Sequence, residues 1–258
     1  MSEKQVIDVF QRVEDKYRIS RKEAREILEE MKGHIKKDAY FQYTVHNIYY
    51  DSKDAQMIIS SLNRDQFKEK LRLRCYEQPK ADTMCFLETK KKYNDIVYKK
   101  RISLSHAEAI GYMEHDIPHH VHNSTAEEID FLKNYYDCEA KTLILYDRTC
   151  FSSIHEADVR VTFDANIRYR LDDISLWERG DEEQLIGEDV LMEIKAMNRY
   201  PLWLTEILSR HQLYKQSFSK YGMIYRQNHQ KLCVTDAPSY AYKTEKIKKE
   251  NRVCSVQF

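Results

Sequence analysis

Lysine and arginine alternate with apolar residues in several short segments of the sequence. In the clearest case, Lys70, Arg72 and Arg74 are separated by single apolar residues. Successive side chains of a β-strand point to opposite faces, so this spacing places all three cations on one face. Cations that converge bind polyanions well, because each phosphate group accepts several charge-assisted hydrogen bonds. The alternation indicates either a polyanion site or a charged face exposed to solvent.

The same alternation recurs along the chain, in segments that carry Lys16, Glu88 with Lys90, Lys99 with Arg101, Arg160 with Asp164, and Glu193 with Lys195. The polar face of an ordinary sheet mixes charges of both signs with neutral residues. Two cations about 5 Å apart repel by roughly 3 kcal/mol at an effective dielectric constant near 20. A converging set of cations therefore opposes folding unless anions or water compensate it, and from these residues alone both interpretations stay open.

The elements that carry these residues are predominantly strands. Alternating polar and apolar residues predict eight of them: Phe10–Ile19, Tyr43–Tyr50, Phe67–Glu77, Met84–Lys92, Ile96–Leu104, Thr142–Ile154, Val159–Arg170 and Val190–Met197. Four helices are predicted, at Arg21–Met31 after a capping Ser20, Asp54–Leu62, Ala126–Tyr136 and Leu202–His211. Closely spaced strands with irregular helical interruptions favour an α+β protein with a mainly antiparallel sheet or barrel.

The composition bounds the domain organisation and the class of function. The chain has 258 residues, with 42 Lys and Arg against 42 Asp and Glu, so net charge gives no support for a general nucleic-acid binder. With 5 Gly and 4 Pro, no interdomain linker stands out. We expect one domain over residues 1–235 and a polar, basic tail over 236–258.

Several other features bear on location and on metals. The sequence has no apolar run long enough to span a bilayer and no secretory signal, and its six cysteines are scattered, so we expect a cytoplasmic protein with reduced thiols. Four histidines gather around Pro118, between His115 and His122. They are the right residue type for a zinc or copper site, but Pro118 breaks helical spacing, and we predict a solvated loop.

The charged segments also occur in a characteristic order: Arg12–Tyr17, Lys70–Arg74, Glu88–Lys90, Tyr98–Arg101, Tyr146–Arg148, Val159–Asp164, Met192–Lys195 and Ser217–Tyr221. This order resembles the VTC family, the polyphosphate polymerase domain of the triphosphate tunnel metalloenzyme (CYTH-like) superfamily. The resemblance extends from about Val9 to Tyr225. It implies an eight-stranded antiparallel β tunnel, or barrel, with helices packed outside it.

The resemblance also implies a function. Members of this family are metal-dependent phosphotransferases that move the γ-phosphate of ATP onto a growing chain of inorganic polyphosphate, with manganese or magnesium. The expected partners are ATP and polyphosphate, without nucleic acid, and the oligomeric state is not predicted. Carried over residue by residue, the phosphate-binding and catalytic positions are Arg72, Arg74, Lys90, Lys99, Arg148, Arg160 and Lys220. Lys16 and Ser219 are expected to contact substrate, Tyr146 to stack on the nucleotide base, and Glu193 and Glu14 to bind metal.

One motif departs from the wider superfamily, which begins with Glu-x-Glu-x-Lys. Here the first Glu is replaced by Arg12, so Glu14 alone remains in this motif and metal binding rests mainly on Glu193 and the substrate phosphates. Two alternatives to the polymerase follow. A positioned water in place of the phosphate acceptor would make the protein a tripolyphosphate or nucleoside triphosphate hydrolase. Loss of productive metal geometry would leave a non-catalytic polyphosphate or nucleotide binder.

Overall fold

The structure, a computed structural model, describes residues 12–94 and 96–232. Its strands are β1 Arg12–Ile19, β2 Ile35–Asp51, β3 Phe67–Cys75, β4 Met84–Tyr93, β5 Ile96–Ser105, β6 Glu139–Ser153, β7 Arg160–Arg170, β8 Glu183–Gln184 and β9 Val190–Met197. Its helices are α1 Arg21–Glu30, α2 Gln56–Leu62, α3 His106–His115, α4 Ser124–Tyr136, α5 Leu202–Arg210 and α6 Lys220–Leu232. The predicted start of β1 at Phe10 and the tail over 236–258 lie outside the described residues.

One antiparallel sheet organises the protein. Its long strands follow the order β1-β9-β7-β6-β2-β3-β4-β5, and the short β8 pairs with β7. The α+β class and the eight long strands expected from the sequence are confirmed. Within the part of the chain that the structure describes, no hydrogen-bonded pairing joins β1 to β5, so both remain edge strands.

The two faces of the sheet have different coverings. On the outer face, α3 and α4 pack against β2 to β6 over a core that includes Leu73 and Ile129, while α1 and α5 cover β1, β7 and β9 around Ile27 and Ile194. The inner face is apolar at one end only, where α2 and α6 pack over Tyr146 and its neighbours. The rest of the inner face carries the alternating charged residues.

Capping residues mark the starts of two helices in the sequence, one of which was predicted and one of which was missed. Ser20 caps α1 with Glu23 in a reciprocal capping box, as the sequence predicted. Ser105 and Glu108 form the same motif at the start of α3. This helix was not predicted, because the alternating pattern of β5 runs directly up to it. None of the helices among the described residues is long and apolar enough to cross a membrane.

Residues 116–123 adopt no regular structure, in agreement with the predicted loop, although His115 is the last residue of α3. The prediction of a solvated segment is wrong for His119, which is 8% exposed. Its ring packs edge-on against Tyr112, with the centroids 4.6 Å apart. Among the described residues no group of three or more His, Cys, Asp or Glu could hold a metal ion.

Candidate functional site

The register of the sheet brings cations from three strands side by side on the inner face. Lys70 of β3 lies opposite Lys90 of β4, and Lys90 lies opposite Lys99 of β5. Residues directly opposite one another in antiparallel strands have Cβ atoms about 5 Å apart. The row therefore concentrates positive charge, as the sequence predicted for Lys90 and Lys99.

Two buried carboxylates form ion pairs with cations of the inner face, and Glu88 of β4 is the first of them. Its Oε2 accepts from Nε of Arg72 at 2.8 Å and lies 3.9 Å from Nη1 of Arg74, while its Oε1 lies 2.8 Å from Nζ of Lys99. Glu88 is 1% exposed. Burial would raise the pKa of its carboxyl group, but the three cations outweigh burial and lower that pKa to about 2. Glu88 is therefore ionised and fixes three of the predicted phosphate-binding residues.

Asp164 of β7 is the second buried carboxylate. Arg148 donates to both of its oxygens, from Nε at 2.6 Å and from Nη2 at 2.8 Å, and Nζ of Lys220 donates to Oδ2 at 2.6 Å. The carboxylate is fully buried. Burial opposes its ionisation, but Lys220 and Arg148 hold its pKa well below the usual range. This contact links β6, β7 and the start of α6.

Tyr146 lies between the two carboxylate clusters. Nζ of Lys220 is 4.2 Å and the guanidinium carbon of Arg148 is 5.1 Å from the centroid of its ring, and Nη2 of Arg74 donates to its hydroxyl at 3.3 Å. The side chain is 3% exposed. In this structure the ring contacts cations. Stacking on a nucleotide base stays a prediction, and it requires one of these cations to move.

Tyr49 of β2 is a site residue that the sequence did not reveal. Its hydroxyl accepts from Nη1 of Arg72 at 3.0 Å, and its ring stacks on Tyr221 with the centroids 5.1 Å apart. Burial would raise the pKa of Tyr49, but Arg72, Arg74 and Lys70 outweigh burial and lower that pKa to about 7. The lowered pKa of Tyr49 follows from the positive charge of its surroundings.

Positive charge on the inner face is incompletely neutralised. Lys70 donates to the neutral Ser219 Oγ at 3.3 Å, and desolvation together with Lys90, Lys16 and Arg72 lowers its pKa to about 8, although Tyr49 acts in the opposite direction. The pKa of Lys90 is lowered by desolvation and by the nearby cations. A cavity of about 20 Å³ is lined by Tyr49, Lys70, Arg72, Glu88, Thr89, Lys90 and Lys99. An anion would relieve the repulsion among these lysines.

Lys16, Glu14 and Glu193 lie on the neighbouring strands β1 and β9. Nζ of Lys16 donates to the carbonyl oxygen of Phe218 at 3.3 Å and lies 3.6 Å from Glu14 Oε1. Lys16 is opposite Glu193 in the register, and Glu14 is opposite Lys195. The two predicted metal ligands are therefore diagonal neighbours across one pair of strands.

The carboxylate of Glu193 suits a hard divalent cation. It pairs with Lys195, and this lysine and Lys16 lower its pKa to about 2 although burial acts against ionisation. Thr162, opposite Glu193, has a buried hydroxyl without a hydrogen-bond partner among the described residues. The site thus offers the ionised carboxylate of Glu193, the carboxylate of Glu14 and the hydroxyl of Thr162. These oxygen ligands fit magnesium or manganese when phosphates supply the remaining ligands.

Arg160 lies apart from the two buried carboxylates. Its guanidinium is half exposed and pairs with Asp38 of β2. The register places Arg160 opposite Lys195 on one side and opposite Ser152 on the other, beyond Thr162 along β7. Of the predicted phosphate-binding arginines, it is the one most open to solvent.

Tyr49 is the candidate residue that the sequence analysis missed, while Lys70, Glu88 and Asp164 appeared in the charge pattern without an assigned role in the site. Lys70 shares the alternation of Arg72 and Arg74, and Glu88 alternates with Lys90, so a signal for both was present in the sequence. Their roles become visible only when β3, β4 and β5 are set in register. No sequence pattern distinguishes Tyr49 from the other aromatic residues of β2.

The structure is thus an antiparallel sheet with clustered cations on its inner face. The chain belongs to the VTC domain family, whose model matches residues 11–229. No curated protein sequence matches the chain significantly.

Solved structures resemble the fold at low sequence identity. A presumed adenylate cyclase from Bacillus halodurans matches with a TM-score of 0.51 and 13% identity, over 80% of this chain and 92% of that one. A presumed adenylate cyclase from Vibrio parahaemolyticus matches with a TM-score of 0.42 and 14% identity, over 83% and 97% of the two chains. The PH1819 protein of Pyrococcus horikoshii OT3 matches with a TM-score of 0.43 and 12% identity, over 85% of this chain and 99% of that one. At this identity, the first of these likenesses supports the fold alone.

Proposed function

We propose that the inner face of the sheet is the active site of a polyphosphate polymerase, which transfers the γ-phosphate of ATP onto a growing polyphosphate chain. Membership of the VTC family supports this activity. The observation that carries the proposal is the row of Lys70, Lys90 and Lys99 across three strands, next to the arginines that Glu88 holds. A chain of phosphates is the ligand that such a linear set of cations fits best.

Phosphoryl transfer requires little covalent chemistry from the protein. Positioning of the two substrates and neutralisation of charge on the equatorial oxygens supply most of the catalysis. In the reaction a terminal polyphosphate oxygen forms a bond to the γ-phosphorus of ATP. The bond from that phosphorus to the bridging oxygen breaks, and ADP leaves with the electron pair. The acceptor oxygen is already anionic, so the chain does not need a general base.

The cations divide by position into two sets. Arg72, Arg74, Lys90 and Arg148 are assigned to the phosphates of the nucleotide. Three of these are arginines whose guanidinium groups buried Glu88 and Asp164 orient, whereas the same carboxylates hold Lys99 and Lys220 through single ammonium groups. Lys99, Arg160 and Lys220 are assigned to the acceptor chain. Lys99 and Arg160 keep substantial exposure, which suits a substrate that must extend and move.

The buried carboxylates orient the cations and do not cancel their charge. Glu88 forms ion pairs with Arg72, Arg74 and Lys99, and Asp164 forms ion pairs with Arg148 and Lys220. A single negative charge shared among several cations leaves each cluster positive. The guanidinium groups are consequently positioned before substrate arrives, which lowers the cost of ordering them during the reaction.

Glu193 and Glu14 are the residues that would hold manganese or magnesium. The bound ion would neutralise charge on the transferred phosphate and its leaving group. In the ligand-free chain, Lys195 pairs with Glu193, and Nζ of Lys16 lies 3.6 Å from Oε1 of Glu14. Lys195 and Lys16 would then turn toward substrate oxygens when the ion binds.

Incubation of the purified chain with ATP and manganese, followed by separation of the products by chain length, tests the proposal. We expect polyphosphate chains and an equivalent amount of ADP. The variant Arg72→Gln should lose at least about a hundredfold in activity, since it removes a charged contact to substrate. The control Arg25→Gln changes an exposed arginine of α1 and should retain activity. Release of orthophosphate alone would favour the hydrolase, and tight binding without turnover would favour the non-catalytic binder.

A further inference from the structure

The tip of the β4–β5 hairpin exposes a cluster of apolar and aromatic side chains. Tyr93 is 50% exposed, Ile96 56%, Val97 49% and Tyr98 54%, and Phe67 of the adjacent β3 is 45% exposed. The rings of Phe67 and Tyr93 are in contact, with the centroids 6.5 Å apart. We call these five residues the hairpin patch. A continuous group of exposed aromatic and β-branched residues marks an interaction surface.

Four of the five residues of the hairpin patch lie on the outer face of the sheet, and Val97 lies on the inner face. Tyr93 is opposite Ile96, and Tyr98 is opposite Lys91, so Ile96 and Tyr98 point to the outer face. Val97 points the other way, to the face of Lys99. Among the described residues no strand pairs with the outer edge of β5, so that side of the hairpin is open within this part of the chain. A flat protein surface covers one face of such a tip, whereas the headgroup region of a bilayer surrounds the tip on all sides.

Cations flank the hairpin patch on both faces. They are Lys68, Lys90, Lys91, Lys92, Lys99 and Lys100. On the outer face, Lys91 and Lys100 form ion pairs with Glu69 and Glu128, so the excess of positive charge beside the patch lies with the four lysines of the inner face. A second copy docked patch to patch would bring the two sets of lysines against each other. An anionic lipid surface attracts both sets.

The side chains of the patch suit the boundary between water and lipid. Tyrosine places an apolar ring in the boundary and keeps its hydroxyl in the polar region. Lysine extends an apolar stem and leaves its ammonium group among the headgroups. We propose that the hairpin patch docks the protein on an anionic membrane surface, with Tyr93, Ile96 and Tyr98 in the headgroup region. The apolar residues of the patch have no role in the phosphate chemistry proposed for the inner face, although Lys90 and Lys99 lie beside both.

Flotation with lipid vesicles tests the proposal on the full chain. One set of vesicles is pure phosphatidylcholine, and the other contains about 30 mol% phosphatidylserine. We expect the protein to bind the anionic vesicles, with binding that weakens as salt rises. The double variant Ile96→Ser and Tyr98→Ser should bind about tenfold more weakly, because two apolar side chains no longer enter the boundary. Tyr40→Ser is the matched control, since Tyr40 is 81% exposed on β2 and lies outside the patch.

Each alternative occupant of the patch gives a distinct result. Both variants change exposed residues, so an unchanged melting temperature will show that they remain folded. Equal vesicle binding by the wild type and the double variant would overturn the proposal, and would assign any binding to another part of the chain. A wild-type dimer that the double variant dissociates in sedimentation, without vesicle binding, would assign the patch to a second copy. Faster hydrogen exchange of residues 233–258 in the double variant, again without vesicle binding, would assign the patch to that segment.

Discussion

Arg72 donates from Nε to Oε2 of Glu88 over 2.8 Å, and this contact joins the centre of β3 to the centre of β4 on the inner face. The same guanidinium donates from Nη1 to the hydroxyl of Tyr49. Two acceptors on two different strands therefore fix its plane. An arginine held in this way presents its remaining donors to a phosphate in one orientation, which is the arrangement that electrostatic catalysis requires.

Replacement of Glu88 by Gln should destabilise the protein, because Arg72, Arg74 and Lys99 then face one another without a buried anion. We expect a loss of about 1–3 kcal/mol in the free energy of unfolding, measured by urea denaturation. Added tripolyphosphate should restore more stability to Glu88→Gln than to the wild type. The control Glu26→Gln removes one exposed pair with Lys22 and should cost at most about 0.5 kcal/mol. Equal effects of the two substitutions would show that Glu88 does not compensate the cations.

Anion binding should weaken as pH rises through the range in which Lys70 and Tyr49 titrate. The pKa of Lys70 is lowered to about 8, so this residue loses its positive charge above pH 8. The pKa of Tyr49 is lowered to about 7, so this residue gains a negative charge above pH 7. Both changes disfavour a bound phosphate, and the affinity for tripolyphosphate should fall between pH 6 and pH 9 by about tenfold or more.

Two substitutions separate these contributions. Tyr49→Phe removes the ionisable hydroxyl and should abolish the part of the affinity decline that begins near pH 7. Lys70→Arg keeps a positive charge and should abolish the part near pH 8. Calorimetric titrations at several pH values provide the measurement. A wild-type affinity independent of pH from 6 to 9 would contradict both assignments.

Glu193→Gln should abolish the manganese dependence of turnover and lower activity by at least about a hundredfold. Glu14→Gln is expected to have a smaller effect, because Glu14 is more exposed than Glu193 and lies 3.6 Å from its partner Lys16. Initial rates measured over a range of manganese concentrations distinguish the two. Unchanged activity and unchanged manganese dependence in Glu193→Gln would show that the metal assignment is wrong.

Arg160 and Arg148 should differ in their importance. Arg148 is held by both oxygens of buried Asp164, and Arg160 is half exposed and pairs with Asp38. We expect Arg160→Gln to raise the KM for polyphosphate a few-fold with little effect on kcat, because it removes a contact that ground and transition states share. Arg148→Gln should lower kcat. A larger loss of kcat in Arg160→Gln than in Arg148→Gln would contradict the division into donor and acceptor sets.

The strands were predictable from the sequence because each one alternates across a sheet with one apolar face. β2 begins at Ile35, well before the predicted Tyr43, because its first half is largely exposed and its pattern is weak. α6 was missed because Lys220 and Tyr221 were assigned to a binding motif, although a helix begins there. Helix α3 had a signal, the capping box of Ser105 and Glu108, directly after a strand.

The cations of the site were predictable and the residues that hold them were not. Alternation and the order of the motifs pointed to Arg72, Arg148 and Lys220. The contact of Arg148 with Asp164 spans 16 residues, and that of Lys220 with Asp164 spans 56. Such pairs depend on strand order and register, which local patterns do not specify.

The most direct test of the central claim is calorimetric titration of tripolyphosphate into the wild-type chain and into Arg72→Gln at pH 7. We predict one site per chain, an affinity that falls steeply with salt, and a loss of at least about tenfold in the variant, since a charged and oriented contact disappears. The melting temperature of the free variant serves as the control for folding. Absence of tripolyphosphate binding to the wild type, or equal affinity in a folded Arg72→Gln, would contradict an oligophosphate site on the inner face of the sheet.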